Sequence, residues 1–236
     1  MKKTLDEIRQ YINEGVYDPG IFKAFFLAGG PGSGKTFVTA SAFAGTGLKV
    51  VNSDAAFERG LKQANLSLKM PDEEEYFRNL IRTRAKATSN TALDIYIEGR
   101  LGLVIDATGR DLPLVQNQYA RLRNLGYDCY MVFVNTSLNV ALERNATRGR
   151  SIPEYIVQRS WEGVQANIGA YQRLFSPNKM LIIDNNRSEK ELVSQVLNTA
   201  SRFIRSRLTT KPQNGIAMSW IKKELELKRR WDLKTL

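Results

Sequence analysis

The sequence predicts an α/β fold, a five-stranded parallel sheet flanked by helices, and three observations carry that expectation. Short apolar runs of strand length alternate with amphipathic stretches along the chain, the pattern of parallel strands joined by helical crossovers. One such run, from Ile21 to Ala28, empties into the glycine-rich stretch "GGPGSGKT" and then into helix-forming residues. No segment repeats at the periods expected of solenoids or propellers, and no tract is of low complexity.

Each element has a local reason. A helix with apolar positions Leu5, Ile8 and Ile12 opens the chain, and Pro19 with Gly20 turns it into the first strand, Ile21 to Ala28. After the glycine loop a helix runs to about Ala44, and "GTGLK" turns into a second strand in "LKVVNSD". Residues 55–62 read as helical, and a longer charged helix follows Pro71 to about Leu93. "RLGLVIDATG" holds a third strand ending at Asp106, Asp111 with Pro113 starts a helix, and Gly126 closes it. "YDCYMVFVNT" is a fourth, almost wholly apolar strand, and Ser137 caps the helix "SLNVALERNATRGR". A single helix is expected from Pro153 to about Leu174, then a fifth strand in "KMLIIDNN" and a helix from Glu189 to about Arg207. "TTKPQNG" reads as a linker to a final amphipathic helix, "AMSWIKKELELKRRWDL". The expected organisation is an N-terminal helix and turn over 1–20, one main domain over 21–208, and a linker with a basic helix over 209–236.

Composition narrows the chemistry. The 236 residues contain no histidine, which removes the commonest general base and transition-metal ligand and leaves acid–base work to carboxylates, Lys or Tyr. Cys129 is alone and sits in a strand, so no intrachain disulfide forms and a reducing cytoplasm is the expected compartment. The N-terminus lacks the apolar stretch of a signal peptide, and no run is long enough to span a membrane. The net charge of +11 is unevenly spread: from Arg202 to Leu236 ten Lys and Arg against three acids carry +7, leaving +4 to the first 201 residues.

Gly29, Gly34, Lys35 and Thr36 satisfy G-x-x-x-x-G-K-[ST], the phosphate loop of P-loop NTPases, in the strand–loop–helix context it requires. Gly30, Gly32 and Gly34 let backbone amides approach an anion, Pro31 and Ser33 complete the loop, Lys35 would reach the β- and γ-phosphates, and Thr36 would ligate Mg²⁺. Asp54, 19 residues after Lys35, is expected at the carboxyl edge of the sheet, where it would accept the proton of an attacking hydroxyl or hold the metal; the alternative is a helix cap. Asp106 ends the third strand at the same edge, with Thr108 and Arg110 beside it, and reads as a magnesium ligand, an acceptor-binding group or a loop cap. Arg144, Arg148 and Arg150 lie where a helix gives way to Gly149 and Pro153, as a lid over a triphosphate would need, or as a solvated basic face. Arg148 is the residue expected to contact the donor phosphates.

The order of GGPGSGKT, a strand ending in NSD, a strand ending in IDATG, and FVNTSLNVALERNATRGRSIPEYIVQRS resembles the P-loop kinase group of phage polynucleotide kinases and zeta-toxin-like kinases, over residues 22–185. The resemblance implies the nucleotide-kinase type of P-loop fold, ATP or GTP with Mg²⁺ as donor, and transfer of the γ-phosphoryl group to a hydroxyl. It implies that Asp54 activates the acceptor, that Asp106 and Thr108 lie in the acceptor site, and that Arg148 contacts the donor. That family carries an Arg three residues after the catalytic Asp to bind the acceptor's phosphate; here Phe57 stands there, and Arg59 is the nearest Arg. The expected acceptor is a nucleic acid, at a 5'-hydroxyl or a hydroxymethylated pyrimidine of phage DNA. The rivals are a zeta-type kinase of a small metabolite such as a nucleotide sugar, and a nucleotide-binding switch that phosphorylates nothing.

In the tail, Trp220, Ile221, Leu225, Trp231 and Leu233 interleave with Lys222, Lys223, Lys228, Arg229 and Arg230. Such a helix suits a nucleic-acid backbone, a packing surface on the body or a second subunit, or an anionic membrane.

Overall fold

The computed structural model describes residues 15–147, 152–187 and 190–234. Its five parallel strands are β1 (Lys23–Ala28), β2 (Lys49–Val51), β3 (Leu103–Asp106), β4 (Asp128–Asn135) and β5 (Met180–Asp184), ordered β2-β3-β1-β4-β5. β1 is central, and the chain leaves it to one side for β2 and β3 and to the other for β4 and β5. The loop after β1 therefore lies at the point where the strand order reverses, the place where open parallel sheets leave a crevice for ligands.

Nine helices flank the sheet among the described residues: α1 (Lys35–Ala42), α2 (Asp54–Gln63), α3 (Glu75–Glu98), α4 (Leu112–Asn124), α5 (Leu138–Ala146), α6 (Glu154–Ala166), α7 (Ile168–Phe175), α8 (Lys190–Leu208) and α9 (Gly215–Lys234). Caps set several starts. The Asp111 carboxylate accepts from the Leu114 N–H at 3.0 Å, with Pro113 in the first turn of α4, and the Ser137 hydroxyl accepts from the Val140 N–H at 3.4 Å.

Alternation along the strands divides the core. Ala24, Phe26 and Ala28 of β1 with Cys129, Met131 and Phe133 of β4 face one layer, and Phe25 and Leu27 with Tyr130, Val132 and Val134 face the other. All are buried, each large apolar side chain contributing about 2 kcal/mol of transfer free energy, and burial on both faces is why β1 and β4 read as continuous apolar runs. A third, smaller cluster lies between α2 and α3, where Phe57, Leu61, Met70 and Ala85 pack with Ile152.

Three expectations change on folding. β2 ends at Val51, so Asp54 belongs to the first turn of α2 rather than to a strand end. The single helix expected from Pro153 to Leu174 is divided at Asn167 into α6 and α7. The stretch read as a linker is tied down: the Gln213 N–H donates to Asp128 at 2.6 Å, the Lys23 ammonium donates to the carbonyls of Arg207 and Thr210, and Pro212 is buried. The expected helix over Leu5, Ile8 and Ile12 lies outside the described residues.

The final helix packs on the body. Ala217 is fully buried, Trp220 meets Phe22 edge-on at 5.5 Å, and the Arg100 guanidinium lies 4.4 Å over the Trp220 ring. Phe22, Arg100 and Gly126 precede β1, β3 and β4, so α9 covers the amino edge of the sheet. Its outward side exposes Lys222, Lys223, Arg229 and Arg230. Among the described residues no helix is long and apolar enough to cross a membrane.

Candidate active site

The carboxyl edge of the sheet gathers most of the residues that the sequence singles out. The loop from Gly29 to Gly34 is shaped by steric necessity. Gly32 and Gly34 hold φ of +79° and +91°, a region that side chains rarely adopt. A Cβ on Gly32 would stand 2.3 Å from the Ala141 carbonyl oxygen of α5, and one on Gly34 would stand 2.3 Å from the Asn185 amide. Gly30 differs, since its nearest neighbour would be Trp161 Cα at 3.6 Å. Gly29 is confined as well, since a Cβ there would stand 2.6 Å from the Val134 carbonyl oxygen, so three of the loop glycines answer to the protein's own packing as well as to the approach of an anion.

The Lys35 ammonium folds back over the loop, donating to the Gly29 carbonyl and, at 3.3 Å, to that of Gly30. Thr36 is exposed beside it, and the buried Ser33 hydroxyl has no hydrogen-bond partner among the described residues. A helix N-terminus, an ammonium, an exposed hydroxyl and an orphaned buried hydroxyl around a cradle that a Cβ would fill form a donor set that suits a nucleotide polyphosphate with its Mg²⁺. Among the described residues no three carboxylates or thiols cluster as a metal site.

Asp54, exposed in the first turn of α2, and Asp106, half-buried at the end of β3, come together through Asn52. The Asn52 amide nitrogen donates to Asp106 Oδ2 at 2.7 Å, and its carbonyl oxygen accepts from the Asp54 N–H at 2.7 Å. Burial pushes the Asp106 carboxyl above its ordinary value; Lys35 and the Asn52 amide pull it down, and the Asp54 charge adds to the rise. A carboxylate that feels both Lys35 and Asp54 shares their electrostatic site.

The loop after Asp106 is fixed to the phosphate loop. Gly29 N–H donates to the Thr108 carbonyl at 2.9 Å, and Gly109, at φ +76°, packs where a Cβ would collide with Ala28 at 2.7 Å. Asn167 donates to the carbonyls of Gly109 and Arg110 at 3.1 and 2.9 Å, and the Tyr171 hydroxyl donates to Gly109 at 2.6 Å. Asn167 stands at the junction of α6 and α7 with φ −89° and ψ −10°, still in the right-handed helical region, and its amide holds the loop after β3. α6 is latched to β4 in the same manner, by Trp161 to the Thr136 carbonyl and Gln165 to the Asn135 side chain, both at 2.7 Å.

The arginines divide. Arg144 donates to the Asn185 carbonyl at 2.8 Å, tying α5 to the loop after β5, while Arg148 and Arg150 lie outside the described residues. Asn145 holds both backbone groups of Ile152, at 2.7 and 3.2 Å. Arg110 is exposed and runs along α6, where a Cβ on Gly163 would meet its Cγ at 2.6 Å. Arg59 is exposed on the side of α2 opposite its buried residues, and Phe57 points inward, beneath the Arg82 guanidinium at 4.2 Å.

Asn52, Asn145, Asn167 and Asn185 escape the sequence reading. The one signal available is that each polar amide sits beside an apolar run or a segment that the sequence singles out; their partners are 54 and 58 residues away for Asn52 and Asn167, and 152 away for Asn185.

Comparison with known proteins agrees with this geometry. The profile of a family described as an AAA domain matches residues 25–171, more than half of the chain. A kinase candidate from Chloroflexus aurantiacus is similar in structure with a TM-score of 0.56 at 17% identity, over 79% of this chain and 98% of its own. The shikimate kinase of Acinetobacter baumannii, solved with shikimate, gives 0.50 at 16% identity over 84% and 99%. A chain of the native AvrRxo1-ORF1:-ORF2 complex gives 0.53 at 11% identity over 92% and 83%. At such identities these structures show the fold, which is that of a P-loop kinase. No curated protein matches the sequence.

Proposed function

Since the chain belongs to the AAA-domain family, we propose that it is an ATP-dependent kinase that moves a γ-phosphoryl group to a hydroxyl of a small metabolite. The observation that carries the reading is the linkage of Asp54 and Asp106 through Asn52 at the edge that holds Gly29–Thr36, with Lys35 felt by the half-buried Asp106 carboxylate. When bound, the nucleotide and Mg²⁺ supply the transferable group and neutralise its charge.

The chain's own residues do the rest. Gly29–Gly34 amides and Lys35 would hold the β- and γ-phosphates, and the Thr36 hydroxyl would ligate the metal. Asp54 takes the acceptor's proton as its oxygen bonds to the γ-phosphorus and the bond to the β-phosphate oxygen breaks. In this reading Thr108, Arg110 and Asp106 serve the acceptor, and Arg148 serves the donor phosphates. Positioning and electrostatics suffice for such a transfer, so the lack of histidine is no obstacle.

A small acceptor is favoured because α9 docks at the amino edge, and β1, six residues long, separates the two edges by about 20 Å. A nucleic-acid acceptor is the second reading. It rests on the exposed Lys222, Lys223, Arg229 and Arg230, which a long polyanion could engage while its end reached the site.

The deciding experiment offers γ-labelled ATP with shikimate, nucleotide sugars, 5'-hydroxyl DNA and RNA, and modified-base DNA. Label on a small metabolite is the expected result. Label on DNA or RNA, with transfer lost when those four basic residues become Glu, selects the second reading, and label found solely as free phosphate points to a nucleotide switch.

A further inference from the structure

The reaction just proposed uses Asp54 and Asp106 and leaves out the side chain that joins them. Asn52 sits between β2 and α2 with both ends of its amide engaged at 2.7 Å, donating to the Asp106 carboxylate and accepting from the Asp54 N–H. A neutral amide suits this place because it offers one donor and one acceptor in a single plane. An Asp would set a second negative charge against Asp106, and an apolar residue would satisfy neither neighbour.

The two residues that Asn52 joins belong to different parts of the sheet. Asp106 ends β3, which lies between β1 and β2, and its loop is fixed to the phosphate loop through Gly29 N–H to Thr108 and through Asn167 and Tyr171 to Gly109. Asp54 starts a helix that follows the edge strand β2, which pairs with β3 over three residues and exposes Lys49 and Val50.

The geometry points to Asn52 as a positioning residue that transmits the fixed frame of the phosphate loop and the Asp106 loop to Asp54, and so sets the base against the acceptor hydroxyl. The inference rests on the kinase reading above. Displacement of a reacting group by about 1 Å costs on the order of 100-fold in rate, so a single amide at this position has leverage on kcat.

Asn52→Asp separates the two halves of the link. It keeps an oxygen for the Asp54 N–H and loses the donor to Asp106. The measurements are melting temperature, affinity for a fluorescent ATP analogue, and kcat and KM for γ-phosphoryl transfer to whichever acceptor of the panel takes the label. The expected result is a fall in kcat of about 10- to 100-fold, with nucleotide affinity within about twofold of wild type and a folded protein at assay temperature. Asn52→Ala, which loses both halves, falls at least as far in kcat. A kcat within about twofold of wild type in both variants overturns the positioning role, as does a loss carried wholly by nucleotide affinity or by unfolding. Wild-type protein that labels none of the acceptors fails the kinase reading, and the positioning role fails with it; wild-type transfer beside equal transfer by the variants sinks Asn52 alone.

Discussion

The two edges of one sheet are built by opposite means. At the carboxyl edge the loops are held by single polar side chains, Asn52, Asn167, Asn185 and Tyr171, each gripping backbone or carboxylate, while Lys35, Thr36, Asp54 and Thr108 stay at least partly exposed. At the amino edge apolar rings close the surface: Phe22, Tyr127 and Trp220 meet edge to face, and beneath them Lys23 and Asp128, neighbours in register, are fully buried with the segment 209–214 strapped over them. A group that must meet a substrate cannot be sealed by packing, so it is aimed by hydrogen bonds. A group that only stabilises can be sealed.

That contrast can be broken at its strongest point first. Asp54→Asn is expected to lower kcat by about 10²- to 10⁴-fold while nucleotide affinity and melting temperature stay near wild type. Unchanged turnover in that variant removes Asp54 as the base.

Loop packing gives the next largest effect. Gly32→Ala forces a Cβ to within 2.3 Å of a carbonyl oxygen at a positive φ, whereas Gly30→Ala meets nothing closer than 3.6 Å. Titration of a fluorescent ATP analogue should show more than tenfold weaker binding for the first and a change within about twofold for the second. Equal effects would mean that loop glycines serve phosphate approach alone.

The amino edge should respond in stability and not in chemistry. Trp220→Ala removes a ring that packs on Phe22 and under Arg100, and is expected to cost about 2–4 kcal/mol in urea unfolding with kcat/KM unchanged at temperatures where the protein is folded. A fall in kcat with stability intact would couple α9 to the site.

The smallest effect is a pH signature of the buried Lys23. Burial lowers its ammonium from 10.5 to about 8, against the opposing pull of Asp128, so the folded chain sheds this proton before the unfolded chain does. Stability therefore rises with pH above about 8, by about 1 kcal/mol up to pH 9. Beyond that the buried Cys129 thiol, pushed up from 9.0 to about 12, pulls the other way because the folded chain keeps its proton longer. Lys23→Met should flatten the rise between pH 8 and 9 in urea unfolding, and a rise that persists would assign it to another group.

How much of this was legible follows from the range of each interaction. The strands and the phosphate loop are written in consecutive residues, since the apolar runs around Phe26 and Phe133 must be strands buried on both faces and Gly29–Thr36 must turn between strand and helix. The capping of α4 by Asp111 and of α5 by Ser137 was equally local. Asn167 was not legible: the apolar spacing of Val157, Val164, Tyr171 and Phe175 continues through it, and nothing nearby says that its amide is wanted by a loop 58 residues earlier. Phe57 likewise occupies the place where the resembling family has an Arg, yet its burial against α3 could be known only once the third cluster had formed.

By itself, then, the sequence determined the α/β class, the parallel sheet, the phosphate loop and the carboxylates that could serve a transfer reaction. Each is a property of a short window, set by periodicity, glycine conformation and residue chemistry. The tertiary structure alone decided that Asn52 would bridge Asp54 and Asp106, that Arg144 would be engaged by a backbone carbonyl, and that the basic helix would lie at the edge away from the loop. Those outcomes depend on contacts between residues far apart in the chain, and such contacts exist only when the apolar faces of the sheet and its helices have been buried against one another.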